Sequence, residues 1–185
     1  MIHHPQLAEL ASQLEAVRQH ARETTRGLSD QQLAWQPAPE SWSVAQCLEH
    51  LVLTMESNQQ QVPAKLAAAA RPAPPNYSRW KSGWIGRMII NGTRPGSRPV
   101  KTRGKFVPVA VGPGVVRRFD EKHDLLMEWI RAADGLDVTR IIIVSPFLTI
   151  FRYHLGDFFE LNVGHAERHL RQADRVKLKA GFPPH

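Results

Sequence analysis

Apolar residues recur at helical spacing in four long stretches of the chain. Leu7, Leu10, Leu14, Val17 and Ala21, separated by Glu9, Glu15, Arg18 and Arg22, predict an amphipathic helix over roughly 6–26, ended by Gly27. Val44, Leu48, Leu51, Val52 and Met55 form the buried stripe of a second helix, which would reach about residue 70 if Pro63 only kinks it. Its start is marked by Ser43 and Gln46, a capping box in which each side chain satisfies a backbone donor, with Trp42 and Cys47 at the hydrophobic-staple positions. Val115, Val116, Phe119, Leu125, Leu126, Trp129 and Ile130 predict a third helix from Gly114 to about Ala133, with Gly135 beyond its end. Leu155, Phe158, Phe159, Leu161, Leu170, Ala173 and Val176 predict the last, roughly Tyr153 to Lys179.

The segments between these helices read differently. Residues 28–42 hold two prolines and several turn formers, which predicts a loop anchored by Trp35 and Trp42. Residues 71–113 hold seven of the fourteen prolines and six glycines, which predicts a mostly irregular segment. A helical piece is expected inside it, with Trp80, Trp84, Ile85, Met88 and Ile89 on one face and Arg79, Lys81 and Arg87 elsewhere; Gly83 and Gly86 weaken that helix. Residues 136–148 read as a buried linker: the β-branched run Ile141 to Val144 could pair briefly as a strand, but Pro146 stops it and no second strand is evident. Four long helices with one long crossover predict an all-α four-helix bundle, a single domain over 1–185 with 71–113 as insertion or crossover.

Composition narrows the class. With 42% hydrophobic and 22% charged residues in 185, the chain has the balance of a globular domain with a substantial core. Cys47 is the sole cysteine, so no intramolecular disulfide forms, and a reducing cytoplasm is the expected setting. The N-terminus lacks the apolar run of a signal peptide, and no stretch approaches the roughly 20 apolar residues of a membrane-spanning helix. The net charge of +7 is uneven: residues 71–113 carry nine Lys or Arg and no acid, leaving −2 for the remainder. Any argument from charge to partner therefore concerns the insert alone.

His165 and His169, four apart on the last helix, project from one face and can chelate a single ion. The intervening Glu167 sits two residues from each and points to the opposite side, so HAERH lacks the HExxH arrangement of zinc proteases. A third ligand has to come from another helix. His50 is the best candidate, two turns past the cap of the second helix and beside its apolar stripe. His3, His4 and His185 are terminal, His20 and His123 stand among charged helical neighbours, and His154 is about three turns, on the order of 16 Å, from His165. Gln46 and Thr54 lie one turn either side of His50, and Asn162 and Gln172 one turn either side of the pair, which makes them candidates for orienting the ligands. Glu49 and Glu167 read most simply as solvated charges, with either able to orient a histidine of a neighbouring helix; Cys47, one turn from His50, is within reach of the site, but its staple position favours a structural role.

The string WSVAQCLEHL (42–51) together with HAERHLRQA (165–173) resembles the DinB-like metalloenzyme superfamily, which includes the YfiT-type proteins and relatives of mycothiol-dependent maleylpyruvate isomerase. The preceding W-x-P, Trp35 to Pro37, and the K-F-x-P-type element with Phe106 and Pro108 extend the resemblance over nearly the whole chain. It implies a bundle of up-down-down-up topology in which His50, His165 and His169 bind a divalent metal, and it implies no nucleic-acid function.

Three neutral imidazoles leave coordination positions for water or substrate; zinc or nickel suits such a nitrogen set, and a bound water or thiol becomes a nucleophile near neutral pH. The resemblance adds a low-molecular-weight thiol, such as bacillithiol or mycothiol, as cosubstrate. The expected activity is therefore a metal-dependent thiol S-transferase acting on a small molecule, with a hydrolase less favoured. The alternative is a non-catalytic metal-binding or stress-response protein whose basic insert is the working surface, as a lid, a homodimer contact, a membrane-surface helix or an anionic-ligand site.

Overall fold

The computed structural model describes residues 1–71, 75–98, 101–102 and 104–184. Residues 72–74, 99–100 and 103 of the basic insert, and His185, lie outside the described residues. Helix α1 spans Pro5–Thr25, capped by His4, whose Nδ1 accepts from the Gln6 amide while Nε2 donates to the Ser78 carbonyl at 2.8 Å. Although terminal in sequence, His4 is buried. Helix α2, Asp30–Ala34, occupies the predicted loop: Ser29 and Gln32 form a second capping box, enough to fold one short turn before Pro37.

Helix α3, Val44–Glu56, starts on the Ser43–Gln46 box as expected, and its whole predicted stripe is buried. It does not run on to residue 70. The chain turns at 57–60 and resumes as α4, Gln61–Ala68, so that Pro63 falls in the first turn of a new helix, where its missing N–H costs nothing. Helix α5, Trp84–Thr93, is the helical piece of the insert, but its buried face is Gly86 and Ile90. Trp84 is 72% exposed, and Trp80 is buried ahead of the helix. A Cβ on Gly86 would stand 2.0 Å from Asp157 Oδ2, so the glycine is what lets α5 approach its neighbour.

A short 3-10 turn, Gly104–Phe106, leads to α6, Val115–Ala132, and then to a hairpin absent from the sequence reading. Strand β1, Ile142–Val144, pairs antiparallel with β2, Arg152–His154, Ile143 facing Tyr153. The last helix, α7, Leu155–Lys177, therefore begins two residues later than Tyr153, because Tyr153 is in the strand and His154 is the cap.

Helix α1 packs against α6 and α7, and α3 packs against the same two. Val44 and Cys47 at the start of α3 meet Ala173 and Val176 at the end of α7. Arg18 of α1 pairs with Asp120 and Asp124 in the first ten residues of α6, while the His3 and His4 amides donate to Asp134 beyond its end. Lys177 donates to the Thr24 carbonyl, joining the ends of α1 and α7. The main core, which includes Leu7, Leu14, Leu48, Phe119, Phe158 and Phe159, fills the space between the four helices. Each such side chain contributes about 1.5–3 kcal/mol when fully buried. No described helix is long and apolar enough to cross a membrane.

Candidate metal centre

His50, in the middle of α3, and His165 and His169, one turn apart on α7, face each other where the two helices pack. His50 Nε2 lies 3.3 Å and His169 Nε2 3.1 Å from His165 Nε2, and one ring nitrogen from each of the three fits within 4.8 Å of the others. His50 and His169 are buried and His165 is half-buried, the most exposed of the three.

The outer nitrogens fix which atoms face inward. His50 Nδ1 donates to the Phe106 carbonyl at 2.8 Å, and His169 Nδ1 donates to Gln172 Oε1 at 3.1 Å. Each ring then carries a bare lone pair on Nε2, aimed at His165. A proton on His165 Nε2 can serve one of them and not both. Three converging acceptors at this spacing fit a cation: a tetrahedral ion with metal–nitrogen bonds of about 2.0–2.1 Å separates its ligand nitrogens by about 3.3 Å.

Electrostatics keeps the rings neutral. Burial pushes His169 down to about 3, with the neighbouring His50 and Arg168 adding to the effect. Burial also takes His165 well below its ordinary value, helped by His169 and His50, and lowers His50 against the opposing bond to Phe106. Neutral imidazole is the metal-ligating form. Trp42 walls one side, 5.0 Å from the His50 ring and stacked 5.6 Å from His169.

The four orienting candidates separate clearly. Gln172 contacts a cluster histidine, His169. Gln46 completes the α3 cap and donates to the Pro108 carbonyl, Thr54 donates to the Leu51 carbonyl, and Asn162 donates to the Phe158 carbonyl, each at a turn's distance from the histidines. The Phe106 carbonyl was missed as a partner, since any residue type supplies a carbonyl and its position depends on the fold. Phe106 itself is buried, with its ring stacked 4.0 Å from Phe147.

Glu49 and His123 differ from their sequence reading, whereas Glu167 meets a histidine of a neighbouring helix and Cys47 is structural, both within theirs. Glu49 is 5% exposed and not a solvated charge: Arg118 binds both its oxygens, and the Gly112 amide donates to Oε2 at 3.2 Å. Glu167 is half-buried, holding His20 at 3.1 Å and Arg171 at 2.7 Å. His123 faces the core and not the surface. Cys47 lies in the cluster around Val44 and Ala173, its thiol pushed up to about 12 by burial, which makes it unreactive. Arg168, beside the cluster, donates to the carbonyls of Gly92 and Arg98 at 3.1 and 3.3 Å and tethers the basic insert to α7.

The family model of the DinB superfamily matches residues 13–173 of the chain. Among solved structures the chain is similar to YfiT from Bacillus subtilis, described as a probable metal-dependent hydrolase with an unusual four-helix bundle topology. The two share 16% identity with a TM-score of 0.59, over 96% of this chain and 89% of that one. No curated protein sequence matches.

Proposed function

We propose that this chain, which belongs to the DinB superfamily, holds a divalent metal ion on His50, His165 and His169 and acts as a metal-dependent thiol S-transferase or related metalloenzyme. The observation that carries this reading is the convergence of imidazole nitrogens at 3.1 and 3.3 Å, two of them with lone pairs fixed inward by Phe106 and Gln172. Zinc or nickel suits the donor set. When bound, such an ion supplies Lewis acidity that brings the pKa of a water or thiol toward neutrality.

The chain's own residues do the rest. Phe106 and Gln172 hold the ligand rings in one tautomer, Trp42 closes one flank, and the half-buried His165 leaves the side from which a small molecule approaches. We read the helix order as up-down-down-up, supported by the joined ends of α1 and α7, by the contacts of the α3 start with the α7 end, and by the His3 and His4 amides on Asp134 beyond the α6 end. A single domain, a cytoplasmic setting, a low-molecular-weight thiol as cosubstrate and a homodimer complete the reading. Exposed apolar side chains such as Trp84 and Ile150, 72% and 78% accessible, support the last. Hydrolysis, the reaction class named for YfiT, would use the same centre with water in place of the thiol.

The test is metal analysis and calorimetric titration of wild type and His50→Ala, followed by a screen of thiols against electrophiles. Full metal occupancy in His50→Ala would reject the three-histidine site. A second reading, a metal-holding protein without turnover, draws on exposed Trp84 and Met88 beside Lys81 and Arg87 as a binding surface. It is favoured if metal binds stoichiometrically, the screen stays silent, and the protein binds anionic liposomes or DNA at about 50 mM salt.

A further inference from the structure

One helical turn from the histidine cluster, between α3, α6 and α7, lies a cavity of about 20 Å³. A cavity of roughly 10–15 Å³ suffices for one water molecule. Apolar side chains of all three helices make most of its wall, and the polar residues lining it are Thr54, Lys122, His123 and Asn162. Thr54 stands four residues from His50 on α3, and Asn162 three residues from His165 on α7, so the cavity continues the cluster along both helices.

His123 gives the cavity its chemical character. The residue is 7% exposed, and its Nδ1 donates to the Phe119 carbonyl at 3.1 Å. Its Nε2 is therefore an acceptor, and it is buried with no hydrogen-bond partner among the described residues. Burial pushes His123 down to about 4, so the ring stays a neutral acceptor and does not shuttle protons at ordinary pH. The other polar groups are partly committed: Thr54 donates to the Leu51 carbonyl and keeps acceptor capacity, and Asn162 donates one N–H to Phe158 and keeps its oxygen and a second N–H. Lys122 is held by Gln59 and Glu56 at 3.2 and 3.4 Å. An acceptor-rich lining in an otherwise apolar wall calls for a small neutral donor. A buried acceptor left bare is costly, whereas a hydroxyl group satisfies it.

We propose that this cavity is a second binding site adjoining the three-histidine centre, taking one hydroxyl group that donates to His123 Nε2. His123 is a positioning residue: it fixes the direction of the O–H bond, while Asn162 is placed to bond the oxygen. Water fills the site in the resting protein, and a hydroxyl carried by a small substrate has the same chemistry. The relevance of the site to catalysis rests on the metal reading given above; its occupancy does not.

The experiment is a high-resolution crystal structure of the metal-free protein, with and without an ethanol soak, alongside long-range proton–nitrogen NMR of the histidine rings. An oxygen within hydrogen-bond distance of His123 Nε2 is expected. If ethanol leaves it unchanged, the ligand is solvent; if the ethanol oxygen replaces it, the site accepts an organic hydroxyl. In NMR, His123 is expected as the Nδ1–H tautomer, its Nε2 resonance displaced from that of a free lone pair. An empty cavity together with a free-lone-pair resonance overturns the proposal. Zinc titration of the same protein is scored separately, so that absence of metal binding sinks the metal reading and leaves the hydroxyl site standing.

Discussion

The carbonyl oxygen of Phe106 accepts a 2.8 Å hydrogen bond from Nδ1 of His50, fifty-six residues away. A backbone group in the 3-10 turn near the end of the basic insert thereby sets the tautomer of a ring on α3. The turn is pinned by the Phe106 ring, buried and stacked on Phe147. Phe106→Ala is expected to loosen it and weaken zinc binding about 10-fold or more, the range seen when an outer partner of a metal-ligating histidine is lost. Because a large aromatic is removed from a buried position, stability should fall by about 3–5 kcal/mol. Zinc calorimetry below the melting temperature separates the two effects.

Gln172→Leu tests the same principle without touching the core. Gln172 is half-buried and accepts from His169 Nδ1 at 3.1 Å. Losing that acceptor should reduce zinc affinity by about 10- to 100-fold. The melting temperature of the metal-free protein should hardly change. Unaltered affinity would mean that His169 is not held for metal by this contact.

The sequence carried the two histidine elements because their signals are local. The Ser43–Gln46 box placed His50 two turns into α3, and the spacing of His165 and His169 put both on one face of α7. What it could not carry depended on distant partners. Glu49 is buried because Arg118, 69 residues on, reaches it, and nothing near Glu49 announces that. The strand Arg152–His154 is three residues long, too short for an alternating pattern, and its partner Ile142–Val144 was visible only as a β-branched run. In α5 the large residues pointed to one face, yet docking followed the small one, Gly86, because the neighbouring surface carries Asp157.

Arg118→Ala should be among the most damaging surface-to-core changes. It leaves the Glu49 carboxylate, whose side chain is 6% exposed, with the Gly112 amide as its one remaining partner among the described residues. Breaking one side of such a pair costs about 3–5 kcal/mol, because a buried charge loses its compensation. Glu49→Gln in the same background should recover part of the loss in thermal or urea unfolding. No recovery would show that Arg118 acts through packing instead.

His20 gives a pH dependence with a definite sign. Partial burial opposes its charge, but hydrogen bonds to Asp174 at 2.7 Å and Glu167 at 3.1 Å outweigh that, holding its pKa above the ordinary value. A raised folded pKa means that the protonated ring stabilises the fold fully below the unfolded value of about 6.5, and that this stabilisation is lost as pH rises through the folded pKa. The stability difference between wild type and His20→Asn should therefore be largest between about pH 5 and 6.5 and should shrink at higher pH. A difference that grows with pH would contradict the ion pairs.

Two glycines of α5 should respond to alanine with opposite signs. At Gly86 the new Cβ would stand 2.0 Å from Asp157 Oδ2, 2.5 Å from its Cγ and 3.1 Å from its Cβ. Asp157 is 1% exposed, so it has little room to retreat, and overpacking of this kind costs about 1–3 kcal/mol. At Gly92, two turns along, the Cβ would meet nothing within 4 Å, and alanine gains about 0.5–1 kcal/mol of helix propensity. Gly92 offers its carbonyl to Arg168 at 3.1 Å, a bond that alanine retains. Urea melts should place Gly92→Ala above wild type and Gly86→Ala below it. Hydrogen exchange across 84–98 should rise only in the second, because there α5 is pushed off α7. If Gly86→Ala melted like Gly92→Ala, the close seat of the insert on Asp157 would be wrong.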